Sequence, residues 1–135
     1  MVLPIDPSES FEFVCQADKD KPESEQTKFQ IAVLPFAART QAEAEMQFGD
    51  GTVSISPAFQ RNMLRATLRG WSNFVNPRTG EDIPFDKELV ESRVWGLRLK
   101  APTDRTLGWL HPEDRMEIVM AAFNVQRMSE DEGND

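Results

Sequence analysis

Tyrosine is absent from this chain of 135 residues, and it carries a single histidine, His111, and a single cysteine, Cys15. A lone cysteine excludes an internal disulfide and suits a reducing compartment. One His and one Cys, far apart in sequence, do not make zinc-ligand spacing. No apolar run approaches the roughly 18 residues of a membrane span. The opening Met1-Val-Leu-Pro-Ile-Asp-Pro7 has no basic region followed by an apolar stretch, so no secretory leader is read there. A glycine-rich phosphate loop and a nucleophile–base pair are also missing. Cys15 reads as a small apolar strand residue rather than a reactive thiol. His111, directly before Pro112, reads as a helix-end or solvent residue rather than a general base. Glu81 and Asp82, next to Gly80, read as acidic residues that keep a turn wet. The expectation is a protein that is not an enzyme and uses no cofactor and no metal.

Charge is present in excess of one sign. The formal net charge is −8, with four Lys/Arg against ten Asp/Glu in residues 1–56, ten against eight in 57–115, and one against five in 116–135. Such a surface repels phosphate backbones, so direct nucleic-acid binding is not expected. No membrane partner is expected either.

The length fits one domain. Residues 1–10, with two prolines and no periodicity, read as an extended arm, and 129–135 as a disordered acidic tail. Between them, 11–128 read as a single globular domain. Phe11-Glu-Phe-Val-Cys15 has strand composition. Phe29, Ile31 and Val33 alternate along 28–34, a second strand ended by Pro35, and the two read as an antiparallel pair joined by the polar stretch 16–27. Residues 37–46 favour helix on propensity. Residues 47–56 read as a hairpin around Asp50-Gly51.

Ser56-Pro57 is a helix start, with Ser as N-cap and Pro in the first turn. The helical spacing of Phe59, Met63, Leu64, Thr67, Leu68, Trp71, Phe74 and Val75 predicts a helix to about residue 75, with Arg61, Arg65 and Arg69 on its opposite side. Gly70 would mark a kink or a close helix contact. Residues 76–80 read as a turn, and Ile83-Pro-Phe85 as an apolar return to the core. Asp86 is expected to cap a helix to about residue 99, with Leu89, Val90, Val94, Leu97 and Trp95 inward. A loop between Pro102 and Gly108 then leads to a last helix opened by His111-Pro112-Glu113, on which Met116, Val119, Met120 and Phe123 form one stripe. The fold class is α+β: short N-terminal antiparallel strands with a β-hairpin, followed by three to four packed helices.

Arg61, Arg65 and Arg69 match the geometry of carboxylate or phosphate on a partner, and an acidic protein surface suits them better than DNA. Trp71 and Phe74 join them as candidate partner-binding residues, because aromatics concentrate at binding hot spots. Trp71 nevertheless reads first as a core residue of a small domain, and Trp95 and Trp109 as either core or anchor. Met116, Met120 and Met128 give the last helix an adaptable apolar face.

Three segments carry a family resemblance. They are Phe11-Glu-Phe-Val14 with 22–29 and Ala32-Val-Leu-Pro-Phe36; Leu68-Arg-Gly-Trp-Ser-Asn-Phe74 with Ile83-Pro-Phe85; and Leu110-His-Pro-Glu-Asp-Arg-Met-Glu-Ile118. In this order the chain resembles small proteins of tailed-bacteriophage structural gene clusters, especially tail assembly chaperones. The resemblance implies a non-catalytic morphogenesis protein, with no catalytic residues to carry over. In that family, related proteins hold the tape-measure protein soluble and recruit tail-tube subunits. It implies phage structural proteins (tape-measure, tail or head components) or a second copy of the chain as partners. It also implies a place in the host cytoplasm during assembly, or in the virion for an accessory component. The alternative is an acidic phage-encoded inhibitor of a host nucleic-acid-binding defence protein, whose carboxylates would imitate a phosphate backbone.

Overall fold

The computed structural model describes residues 10–45, 47–49, 52–91 and 98–133. The fold is α+β. β1 (Ser10–Phe13) pairs antiparallel with β2 (Lys28–Ala32), Phe13 opposite Phe29 and Ser10 opposite Ala32. Phe29 and Ile31, two residues apart on β2, are both buried, as the two-residue period of a strand requires. The polar connection between these strands holds two 3-10 turns, Gln16–Asp18 and Glu23–Glu25. It is tied down by Lys21 on Asp18 at 2.9 Å, Lys28 on Glu23 at 2.8 Å, and Thr27 N–H donating to Asp18 at 3.0 Å.

α1 (Phe36–Glu45) follows, then a short hairpin of β3 (Gln47–Gly49) and β4 (Thr52–Ser54). The Asp50-Gly51 turn expected to join them lies outside the described residues. α2 (Pro57–Thr67) starts where the sequence places it, with Ser56 Oγ accepting the Phe59 N–H at 3.1 Å.

The helix does not reach residue 75. It ends at Thr67, and the chain continues directly into β5 (Leu68–Ser72), which adds antiparallel to β2 and gives the sheet order β1-β2-β5. The helix-like spacing of Leu68 and Trp71 comes from a β-bulge. Ile31 faces Leu68 and Gln30 faces Gly70, leaving Arg69 as the extra residue. A bulge turns a spacing of two into a spacing of three, so Leu68 and Trp71 reach the same side of a strand. Gly70 is therefore a strand residue, and a Cβ added there meets nothing within 4 Å, so it marks neither a kink nor a close helix contact.

Past β5 the chain turns back through residues 76–80 as expected, with Gly80 at φ 72° and Ile83 N–H donating to Phe74 O at 2.7 Å. The helix predicted from Asp86 is instead a hairpin, β6 (Lys87–Glu91) and β7 (Arg98–Pro102), in register Lys87 to Pro102 and Val90 to Leu99. Asp86 caps nothing. Its N–H donates to Thr106 Oγ1 at 3.1 Å, and its carbonyl accepts from Thr103 N at 3.1 Å. Leu89, expected inward, is 58% exposed. Val94, Trp95 and Leu97 lie outside the described residues.

The stretch after Pro102 is not simply a loop. It holds α3 (Asp104–Leu107), capped by Thr103, whose Oγ1 accepts the Thr106 N–H at 3.2 Å. α4 (Pro112–Gly133) opens as expected and carries helix into the stretch whose composition reads as a disordered tail; Ser10 is the only described residue of the expected arm. The core lies where α2, α4 and the three-stranded sheet meet: Phe29, Ile31, Phe59, Met63, Leu64, Leu68, Leu110, Ile118, Val119 and Ala122. On α4 the buried stripe is Ile118, Val119 and Ala122, while Met116 and Met120 point out. Among the described residues no helix is long and apolar enough to cross a membrane.

Candidate functional site

Because α2 stops at Thr67, Arg61, Arg65 and Arg69 do not form a stripe on one helix. Arg61 grips Asp104 at the start of α3, Nε to Oδ1 at 2.8 Å and Nη2 to Oδ2 at 3.1 Å. That hydrogen bond holds the Asp104 carboxyl below its ordinary range and the Arg61 guanidinium above its own. Arg65 is only 8% exposed and its Nη2 meets Glu88 of β6 at 2.7 Å, so it anchors the hairpin to α2. Arg69, the bulge residue, is partly buried. Its Nη1 is closed off without a hydrogen-bond partner, and burial lowers its pKa.

Trp71 and Phe74 also sit differently from free surface anchors. Trp71 lies edge-on to Phe29, Phe74 and Phe85, with ring centroids 6.3, 4.9 and 4.8 Å away. Its Nε1–H donates to Ile83 O at 2.8 Å. Both residues pack as half-buried groups against the core. Their role in the fold is to hold the 76–85 return against β5.

Two cavities bring ionisable groups together. One, of about 470 Å³, lies between the β1–β2 connection and the start of α4, and Cys15, Asp18, Lys21, Asn73 and Asp114 are among its lining residues. At its edge the ligand atoms of Cys15, Asp114 and Glu117 all fall within 4.8 Å of one another. His111, just before α4, acts electrostatically on Asp114. The thiol is nevertheless quiet. Burial first, then the charges of Asp114, Glu117 and Asp18, push its pKa up to about 12. At neutral pH it is a thiol, which neither attacks as a nucleophile nor coordinates a metal without first losing its proton. Burial, then Glu117, likewise raises the Asp114 carboxyl. Glu81 and Asp82 are exposed at the turn, apart from this group.

The second cavity, of about 550 Å³, is lined by the first turns of α2 (Pro57, Gln60, Arg61, Leu64), by Asp104, Leu107 and Gly108, and by Arg115 of α4. Arg115 is the residue the sequence reading missed. It sits in the opening turns of a helix beside Glu113, Asp114 and Glu117, a place where acidic residues are favoured and a cation is out of character. That mismatch was the available signal.

Large apolar side chains remain in solvent. Trp109, in the α3–α4 connection, is 44% exposed, and Met116 and Met120, one turn apart on α4, are 37% and 41% exposed. Phe36 and Leu89 are exposed elsewhere on the molecule.

Comparison with protein-family models, with curated proteins and with solved structures returned no match.

Proposed function

We propose that this chain is a non-catalytic bacteriophage morphogenesis protein that binds other phage structural proteins, as a tail assembly chaperone or a virion-associated accessory protein does. The observation that carries the binding part of this reading is the exposed pair Met116 and Met120, on the side of α4 turned away from its buried Ile118, Val119 and Ala122. Unbranched thioether side chains adapt to an apolar partner surface and give up solvent contact favourably when covered. The Cys15 thiol, held protonated by its burial, is not set up as a nucleophile. The segment order described above supports the phage setting.

The alternative, an acidic inhibitor that imitates a phosphate backbone, draws less support. Asp18, Glu23, Glu88 and Asp104 are each held by an internal Lys or Arg, which removes them from such a display.

The test is affinity capture with the tagged full chain from cells producing a tailed phage, with every retained protein identified. Retention of a tape-measure, tail or head protein by the wild type, lost in Met116→Gln/Met120→Gln, is expected. Capture of no structural protein, or equal capture by the double variant, contradicts the reading.

A further inference from the structure

We propose that the cavity between α2, α3 and α4 is a binding site for a carboxylate side chain on an acidic, partly apolar peptide segment of a partner protein. The proposal rests on the protein-binding role above and names chemistry that the role leaves open. Two guanidinium groups, Arg61 and Arg115, line the cavity against one carboxylate, Asp104, so its walls carry an excess positive charge in a chain of net charge −8. Asp104 is taken by Nε and Nη2 of Arg61. Arg115 is in no ion pair among the described residues, and its Nε is closed off from solvent without a hydrogen-bond partner.

Arg115 lines the cavity with no carboxylate partner among the described residues, so its guanidinium is open to an incoming one. A guanidinium–carboxylate hydrogen bond is among the strong ones. Pro57, Leu64 and Leu107 supply apolar wall, which an inorganic anion would leave uncovered and a leucine-like neighbour of the carboxylate would fill. The volume of about 550 Å³ is in the range of sites that enclose a small ligand rather than a single ion.

The experiment is an NMR titration of the full-length protein, following the Arg115 Nε–H and the backbone amides of Gln60 and Gly108. Three probes are compared at equal ionic strength: a capped hexapeptide of alternating Leu and Glu, the same peptide with Gln for Glu, and inorganic phosphate. The Leu/Glu peptide is expected to shift all three signals, the Gln peptide to bind at least tenfold more weakly, and phosphate likewise. Arg115→Met is expected to weaken the Leu/Glu peptide at least tenfold, with Arg115→Lys in between. The Lys variant also serves as the test if Met at this position lowers folding yield. Equal binding of the Gln peptide, equal binding of phosphate, or unchanged affinity in the Arg115 variants would each overturn the site. Capture of phage proteins through Met116 and Met120 does not depend on this outcome, so the two readings fail separately.

Discussion

Arg69 shows how one inserted residue shapes its surroundings. The bulge makes it the extra residue of β5, and its guanidinium ends partly buried with Nη1 unpartnered. An uncompensated, desolvated charge weakens a fold, and a linear apolar side chain of similar length removes that burden while keeping the packing of the stem. Arg69→Met is therefore expected to raise stability by about 1 kcal/mol in urea unfolding, and a loss of similar size would show that the cation is satisfied in solution. Cys15 gives a pH signature. Its thiol is raised from 9.0 to about 12 in the folded protein by burial and then by Asp114, Glu117 and Asp18. A folded pKa above the unfolded one means that the native state holds the proton more tightly. Its contribution to stability is complete below pH 9 and is lost as pH rises from there toward 12. Unfolding free energies measured at intervals from about pH 8 to about pH 11 should fall more steeply for wild type than for Cys15→Ala. Parallel slopes would contradict the assignment. The comparison is of slopes, since the small void left by Ala lowers stability equally at every pH.

At the scale of elements, the hairpin that replaced an expected helix depends on Thr106. This residue is buried, accepts the Asp86 N–H at 3.1 Å, donates to Asp86 O at 3.0 Å, and lies 2.8 Å from Thr103 Oγ1. Thr106→Val keeps the shape but strands these groups, at an expected cost of about 1.5 kcal/mol in chemical denaturation; an unchanged midpoint would mean that β6 is held in place by other contacts. What the sequence made legible was what local chemistry decides. Ser56 caps α2 because its hydroxyl reaches a backbone N–H three residues on, and Phe29 and Ile31 alternate because β2 has one buried face. The helix predicted to residue 75 failed because the bulge at Arg69 imitates helical spacing. The helix predicted from Asp86 failed because Leu89 and Val90 belong to a helical stripe in sequence as readily as to the strand they form. Deciding between the two takes Arg65 on Glu88 and Thr106 on Asp86, partners that only the folded chain brings together. The arginine site was half legible for the same reason. Arg61 stood out in sequence, whereas Arg115 gains its meaning from a cavity shared with two other helices.

At the scale of the whole molecule, charge and apolar surface are arranged separately. Several carboxylates of the acidic chain are neutralised internally, as in Asp18 with Lys21, Glu23 with Lys28 and Asp104 with Arg61. The outward methionines of α4 are left uncovered, on the same helix whose opposite side closes the core. A helix that is greasy on both sides is stable in water only as far as one side is buried, and the other is then available to a partner. Because Met116 and Met120 contribute little to the core, Met116→Gln/Met120→Gln should unfold within about 0.5 kcal/mol of wild type; a larger loss would place these side chains in the fold rather than at an interface. The most direct measurement is the binding isotherm of the purified full chain with whatever structural protein the proposed affinity capture retains, run beside this double variant. Saturable binding by the wild type, weakened at least tenfold in a variant of unchanged stability, is the expected result. An identical isotherm for the two proteins, or none for either, would contradict recognition through this face of α4.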